Sequence, residues 1–129
     1  MERIAVFPGS FDPFTVGHEE IVRRALKLFD KIIIAVGINP GKREFLSTES
    51  RIKLIQKAFE DTDRVSVEPY SGLTVDFCQQ VNSHIIIRGL RTAADFEYER
   101  AIGQANRAMD GDIETVFILT STVHTFVSS

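Results

Sequence analysis

At 129 residues the chain has the length of one domain, and its 43% apolar and 26% charged residues suit an ordinary globular core that folds without staples. Fifteen Lys and Arg against eighteen Asp and Glu leave a net charge of −3, which excludes a globally basic nucleic-acid-binding surface and makes any anion site a local one. The lone Cys78 excludes an internal disulfide, no Cys/His pair has zinc spacing, and no apolar run approaches the ~18 residues that cross a bilayer. A single soluble, cytoplasmic domain over residues 1–129 is expected, with no metal ligand set and neither nucleic acid nor membrane as partner.

The first predicted strand is residues 4–7 (IAVF), closed by Pro8 and Gly9 too early for a signal peptide. Ile21, Val22, Ala25, Leu26 and Phe29 then carry helical spacing, in a helix expected to start at His18 just after Gly17. Residues 31–38 (KIIIAVGI) form the second strand. Ser47 before Thr48 and Glu49 predicts the N-cap of a second helix bearing Ile52, Ile55 and Phe59. An alternating strand at 65–69, a short helix at 73–81 and a strand at 84–88 (HIIIR) follow. A long helix at 92–109 is expected to bury Phe96, Ala101, Ala105 and Met109, and residues 115–119 (TVFIL) give the last strand. Continuous β-branched runs suit strands covered on both faces, so the order βαβαβαβαβ predicts an α/β fold: a Rossmann-like, open, five-stranded parallel sheet with helices on both faces.

Ligands of such sheets bind outside the strand carboxyl ends. On these boundaries that end holds Lys42, Arg43, Arg88 and Arg91 against Asp12 and Glu44, while Asp30, Glu60, Asp61, Asp63, Asp110 and Asp112 outweigh Lys31 and Arg64 at the other. The polarity favours a phosphorylated ligand. No GxGxxG or GxSxG is present, and GINPGKR at 37–43 is one residue short of a P-loop, with Arg43 at the Ser/Thr position. After the first strand comes PGSFDPFTVGH (8–18). Its glycines shape a loop running into a helix start whose N–H groups and positive dipole end suit phosphate, with His18 beside it; the plainer alternative is a permissive turn with a solvated His18.

PGSFDPFTVGH resembles the TxGH variant of the HxGH nucleotidyltransferase signature. With NPGKREFLSTESR (39–51), IIIRGLRTAADFEYE (85–99) and VFILTSTVHTFVSS (116–129), the chain resembles the phosphopantetheine adenylyltransferases over essentially its whole length, and RGLR…DFEYE is far more specific than TxGH alone. The resemblance implies transfer of the adenylyl group of ATP to 4'-phosphopantetheine, giving dephospho-coenzyme A and pyrophosphate. It implies catalytic roles for His18 and Lys42. It implies ATP contacts at Ser10, Phe11, His18, Gly89, Leu90, Arg91, Glu99, His124, Thr125, Phe126, Val127, Ser128 and Ser129. Phosphopantetheine contacts are implied at Ser10, Lys42, Thr74 and Arg88, with Mg2+ carried on ATP and a homohexameric assembly.

A phosphate monoester is already a nucleophile, so this chemistry asks for alignment and charge neutralisation rather than a nucleophile–base pair, in keeping with a set of His, Lys and Arg. Ser10 stands where the family commonly has Thr, and His124 where it has Trp. The chain stops inside that last motif, short of the family's C-terminal helices. A cytidylyltransferase of the same superfamily and a non-catalytic ATP-binding module remain the alternatives.

Overall fold

The computed structural model describes residues 2–41 and 43–120. Its elements run β1 (Ile4–Gly9), α1 (Val16–Ala25), β2 (Lys31–Gly37), α2 (Thr48–Ala58), β3 (Val65–Tyr70), α3 (Thr74–Gln80), β4 (Ile85–Leu90), α4 (Ala93–Met109) and β5 (Glu114–Leu119). All five strands are parallel, in the order β3-β2-β1-β4-β5. Parallel pairing makes each strand bury both faces, which the β-branched runs allow. Ala5, Phe7, Ile32, Ile34, Val36 and Ile87 pack against Ile21, Val22 and Ala25 of α1 and Ile55 of α2, whereas Val6, Ile33, Ala35 and Ile86 face Val75, Phe77 and Cys78 of α3. Burial, with Asp110 as a smaller cause, pushes the Cys78 thiol up to about 11.

Chain order reverses between β1 and β4, and the sheet parts there. β1 and β2 pair from Ile4 opposite Lys31 to Gly9 opposite Val36, but β1 meets β4 at Val6 opposite Ile86. Higher up, the Arg88 side chain spans the gap and donates from Nη1 to the Pro8 carbonyl. This opening is the crevice where ligands of open α/β sheets sit.

Two expectations need correction. Helix α1 starts at Val16, because Thr15 and not Gly17 is its cap. Helix α4 does not bury the apolar stripe read from its spacing: Phe96 and Met109 are 39% and 51% exposed, and Ala101 and Ala105 are exposed too. Its inward face is polar, with Glu99 buried and Asp95, Gly103 and Asn106 half-buried. Gly103 permits this placement, since a Cβ there would lie 3.2 Å from Thr115 Oγ1, and Glu99 is drawn in by a partner across the crevice.

Candidate active site

The loop from β1 to α1 is wound tightly by its own residues. Phe11 takes a left-handed backbone conformation (φ 50°) that tucks its ring into the core, where it is 4% exposed. A Cβ on Gly9 would lie 2.8 Å from that ring, which is why glycine is needed there. Thr15 then caps α1: its Oγ1 accepts the His18 N–H at 3.2 Å, and His18 Nδ1 accepts the Thr15 N–H at 2.9 Å. The T-x-x-H spacing is thus a capping box with histidine in the place of the usual Glu. With Nδ1 an acceptor, the neutral ring carries its proton on Nε2. Rings of Phe11 and Phe14 stand 5.0 and 5.4 Å from the imidazole. Burial first, then Arg88 and Arg91, hold the His18 pKa below its ordinary value, so it is a neutral donor rather than a cation.

The loop after β4 supplies the cations. Arg88 donates from Nε to Glu99 Oε1 at 2.8 Å and from Nη2 to Oε2 at 2.9 Å. Arg91 is exposed, its Nε 3.7 Å from Asp95 Oδ2. Gly89 lets β4 lie against α1, since a Cβ there would be 2.2 Å from Ile21 Cδ1. These two loops wall a cavity of about 550 Å3 that Ser10, Phe11, Gly17, His18, Arg88, Gly89, Arg91 and Glu99 all line, within the range of nucleotide-sized sites. Arg88 and Arg91 line this cavity, whereas Arg43 lines a separate hollow with Asn39, Glu44 and Arg51; Asp95 and Glu99, helical residues outside the loop count, join the first two. The mouth is therefore less cationic than the loop charges alone suggest.

A second cavity of about 160 Å3 lies between β3, α3 and α4, lined by Tyr70, Thr74, Ile86, Ile102 and Asn106, and it shares Pro8, Gly9, Arg88 and Glu99 with the first. The Arg88–Glu99 pair is the partition between the two. Thr74 Oγ1 lies 3.0 Å from the Tyr70 hydroxyl. The Thr115 hydroxyl, on the same cavity, is buried with no partner among the described residues.

The cytidylyltransferase-like family model matches residues 6–129. Over 129 residues the chain is 50% identical to a phosphopantetheine adenylyltransferase of Cytophaga hutchinsonii, covering all of this chain and 86% of that protein. It is 49% identical to one of Leptospira biflexa serovar Patoc, covering 81% of that protein. The chain belongs to the phosphopantetheine adenylyltransferase family. Solved structures of lower identity share the fold alone: a lipopolysaccharide core biosynthesis protein of Thermoplasma volcanium GSS1 (TM-score 0.63, 20% identical, 94% of this chain and 98% of that one). A bifunctional NMN adenylyltransferase/ADP ribose pyrophosphatase of Francisella tularensis does likewise (TM-score 0.66, 23% identical, 94% and 39% covered).

Among the site residues implied by resemblance to phosphopantetheine adenylyltransferases, Ser10, Phe11, His18, Arg88, Gly89, Arg91 and Glu99 converge on the first cavity and Thr74 on the second. Leu90 does not line either: its side chain is 6% exposed and its carbonyl accepts the Thr120 N–H at 2.9 Å. Lys42 and His124, Thr125, Phe126, Val127, Ser128 and Ser129 lie outside the described residues. Two supporting residues escape a reading by motif. The Asp12 carboxylate accepts the N–H groups of Phe45 (2.6 Å) and Leu46 (2.7 Å), joining the first loop to the one after β2. Arg51, 2% exposed, donates to the Ser10 carbonyl (2.7 Å), Glu44 Oε1 (2.9 Å) and Thr48 Oγ1 (3.0 Å). Their only sequence signal is position inside the two matching segments.

Proposed function

We propose that the cavity between β1 and β4 is where the 4'-phosphate of phosphopantetheine attacks the α-phosphorus of ATP, releasing pyrophosphate and leaving dephospho-coenzyme A. The observation that carries this is the locked His18: its capping bonds hold Nδ1 and free Nε2–H to donate in the same cavity as Arg88 and Arg91. Such a donor meets negative charge growing on the α-phosphate oxygens without first giving up a proton, and a fixed donor needs no reorganisation during reaction. No covalent intermediate is required, since the acceptor phosphate is itself the nucleophile.

In this reading Ser10, the Phe11 backbone, Gly89 and Arg91 hold ATP, with the 124–129 segment extending that site, and Lys42 shares the transferring phosphate with His18. Arg88 takes the acceptor phosphate at the partition. The pantetheine arm follows the second cavity toward Thr74, where the Thr115 hydroxyl, without a partner among the described residues, supplies a group for an amide. Mg2+ enters on the triphosphate. Both Asp12 oxygens already accept backbone N–H groups, so in this reading the phosphate oxygens are the ion's main ligands. The exposed Tyr98, Ile102, Met109 and Leu119 support a homo-oligomer, hexameric by family resemblance; the lone Cys78 suits a reducing cytoplasm.

Incubation with ATP, Mg2+ and phosphopantetheine is expected to yield dephospho-coenzyme A by mass and pyrophosphate in equal amount. ATP binding without pyrophosphate release would favour a non-catalytic module, and release dependent on CTP a cytidylyltransferase. His18→Ala should lower kcat by about 100-fold or more while the KM for ATP moves little.

A further inference from the structure

Among the described residues Glu99 is the buried carboxylate, 8% exposed, on the inward face of α4 where Asp95, Gly103 and Asn106 are half-buried. A negative charge lining a cavity for phosphates is unfavourable unless it is spent on a cation. Here both oxygens are spent on one: Oε1 on Arg88 Nε and Oε2 on Arg88 Nη2. A guanidinium has five N–H groups in a rigid fork. Glu99 occupies the edge made by Nε and Nη2, the Pro8 carbonyl takes one N–H of Nη1, and one N–H remains on each Nη. The arginine, 29% exposed at its side chain, is therefore held along one edge and keeps two N–H groups uncommitted where it lines both cavities.

We propose that Glu99 is a positioning residue for Arg88. It acts on the acceptor phosphate through that arginine. This rests on the reading of Arg88 as the ligand of the acceptor phosphate. A carboxylate fixing a ligating side chain from behind is worth about 10- to 100-fold where it has been measured in metal sites, and the same logic applies to a bidentate arginine.

Glu99→Gln keeps the shape, but the amide nitrogen opposes one of the two arginine donors. The expected result is a KM for phosphopantetheine raised about tenfold or more, with the KM for ATP within about twofold. Adding Glu99→Gln to Arg88→Ala should then change neither value further. Glu99→Asp, one methylene shorter but still charged, should fall between wild type and Gln, and it serves in place of Gln if that variant does not fold by circular dichroism. A rise in the KM for ATP alone, an equal rise in both, or no change in either overturns the proposal. If Arg88→Ala itself leaves the acceptor KM unchanged, the reading of Arg88 fails and this role falls with it. If Arg88→Ala raises that KM and Glu99→Gln does not, only the role given to Glu99 is wrong.

Discussion

His18 meets the first cavity with a ring fixed by the cap of α1. Protonating Nδ1 would destroy the acceptor that takes the Thr15 N–H, and burial beside Arg88 and Arg91 already disfavours the cation. The folded protein therefore binds this proton less readily than the unfolded chain does. The stability contributed by His18 is whole above its ordinary value of 6.5 and is lost as pH falls from there through the lower folded value. Two-dimensional NMR of the imidazole should show His18 titrating below 6.5 with Nε2 protonated in the neutral form, and urea unfolding should show stability falling from pH 7 toward pH 5. In the His18→Ala variant that part of the slope should vanish. A ring titrating at or above 6.5 in the free protein would contradict the neutral-donor role.

At the scale of elements, helix starts are set by local chemistry and helix faces are not. Thr15, Ser47 and Thr92 each accept an N–H from three residues on, at His18, Ser50 and Asp95, but of the three only Ser47 is read as a cap from the sequence, which starts the first helix at His18 and the last at Thr92. The first cap doubles as a wall of the first cavity, which Thr15 and His18 both line. Thr15→Ala should cost about 1 kcal/mol of stability, measured by thermal unfolding, and should also lower kcat because Nδ1 loses its neighbour Oγ1 at 3.1 Å. Thr15→Ser should restore both. Helix α4 is the opposite case. Its apolar residues follow helical spacing, yet Met109 faces outward, Phe96 rests edge-on against Phe117 at the sheet margin, and Glu99 turns inward, because a periodicity gives a stripe but not the surface that meets it.

Across the whole molecule, the loops after β1 and β2 are joined by side chains distant in sequence. Arg51 reaches the Ser10 carbonyl across 41 positions, and Asp12 reaches the N–H of Leu46 across 34. Arg51 is nearly fully buried, so Arg51→Ala would strip the Ser10 carbonyl and Glu44 of a shared donor with little water to replace it. The expected cost is about 2–4 kcal/mol, read from urea unfolding, with weaker binding of nucleotide because Ser10 loses its support. Arg51→Lys should recover only part of this, since an ammonium cannot span carbonyl, carboxylate and hydroxyl as a planar fork does.

Sequence alone determined the strands, the helix order, the parallel sheet and the loop that carries His18, because β-branched runs, the Ser47 cap and a glycine-bound turn each express short-range sterics and hydrogen bonding that need no distant neighbour. The segments that resemble an adenylyltransferase brought His18, Arg88 and Arg91 into view before any coordinates did. Only the tertiary structure decided which face α4 turns inward, that Leu90 is buried away from the cavity, that Thr74 opens on a second chamber, and that Glu99 grips Arg88. Those outcomes turn on the partner a polar side chain finds across the sheet opening, and that partner is set by how strands and helices meet in space, not by spacing along the chain.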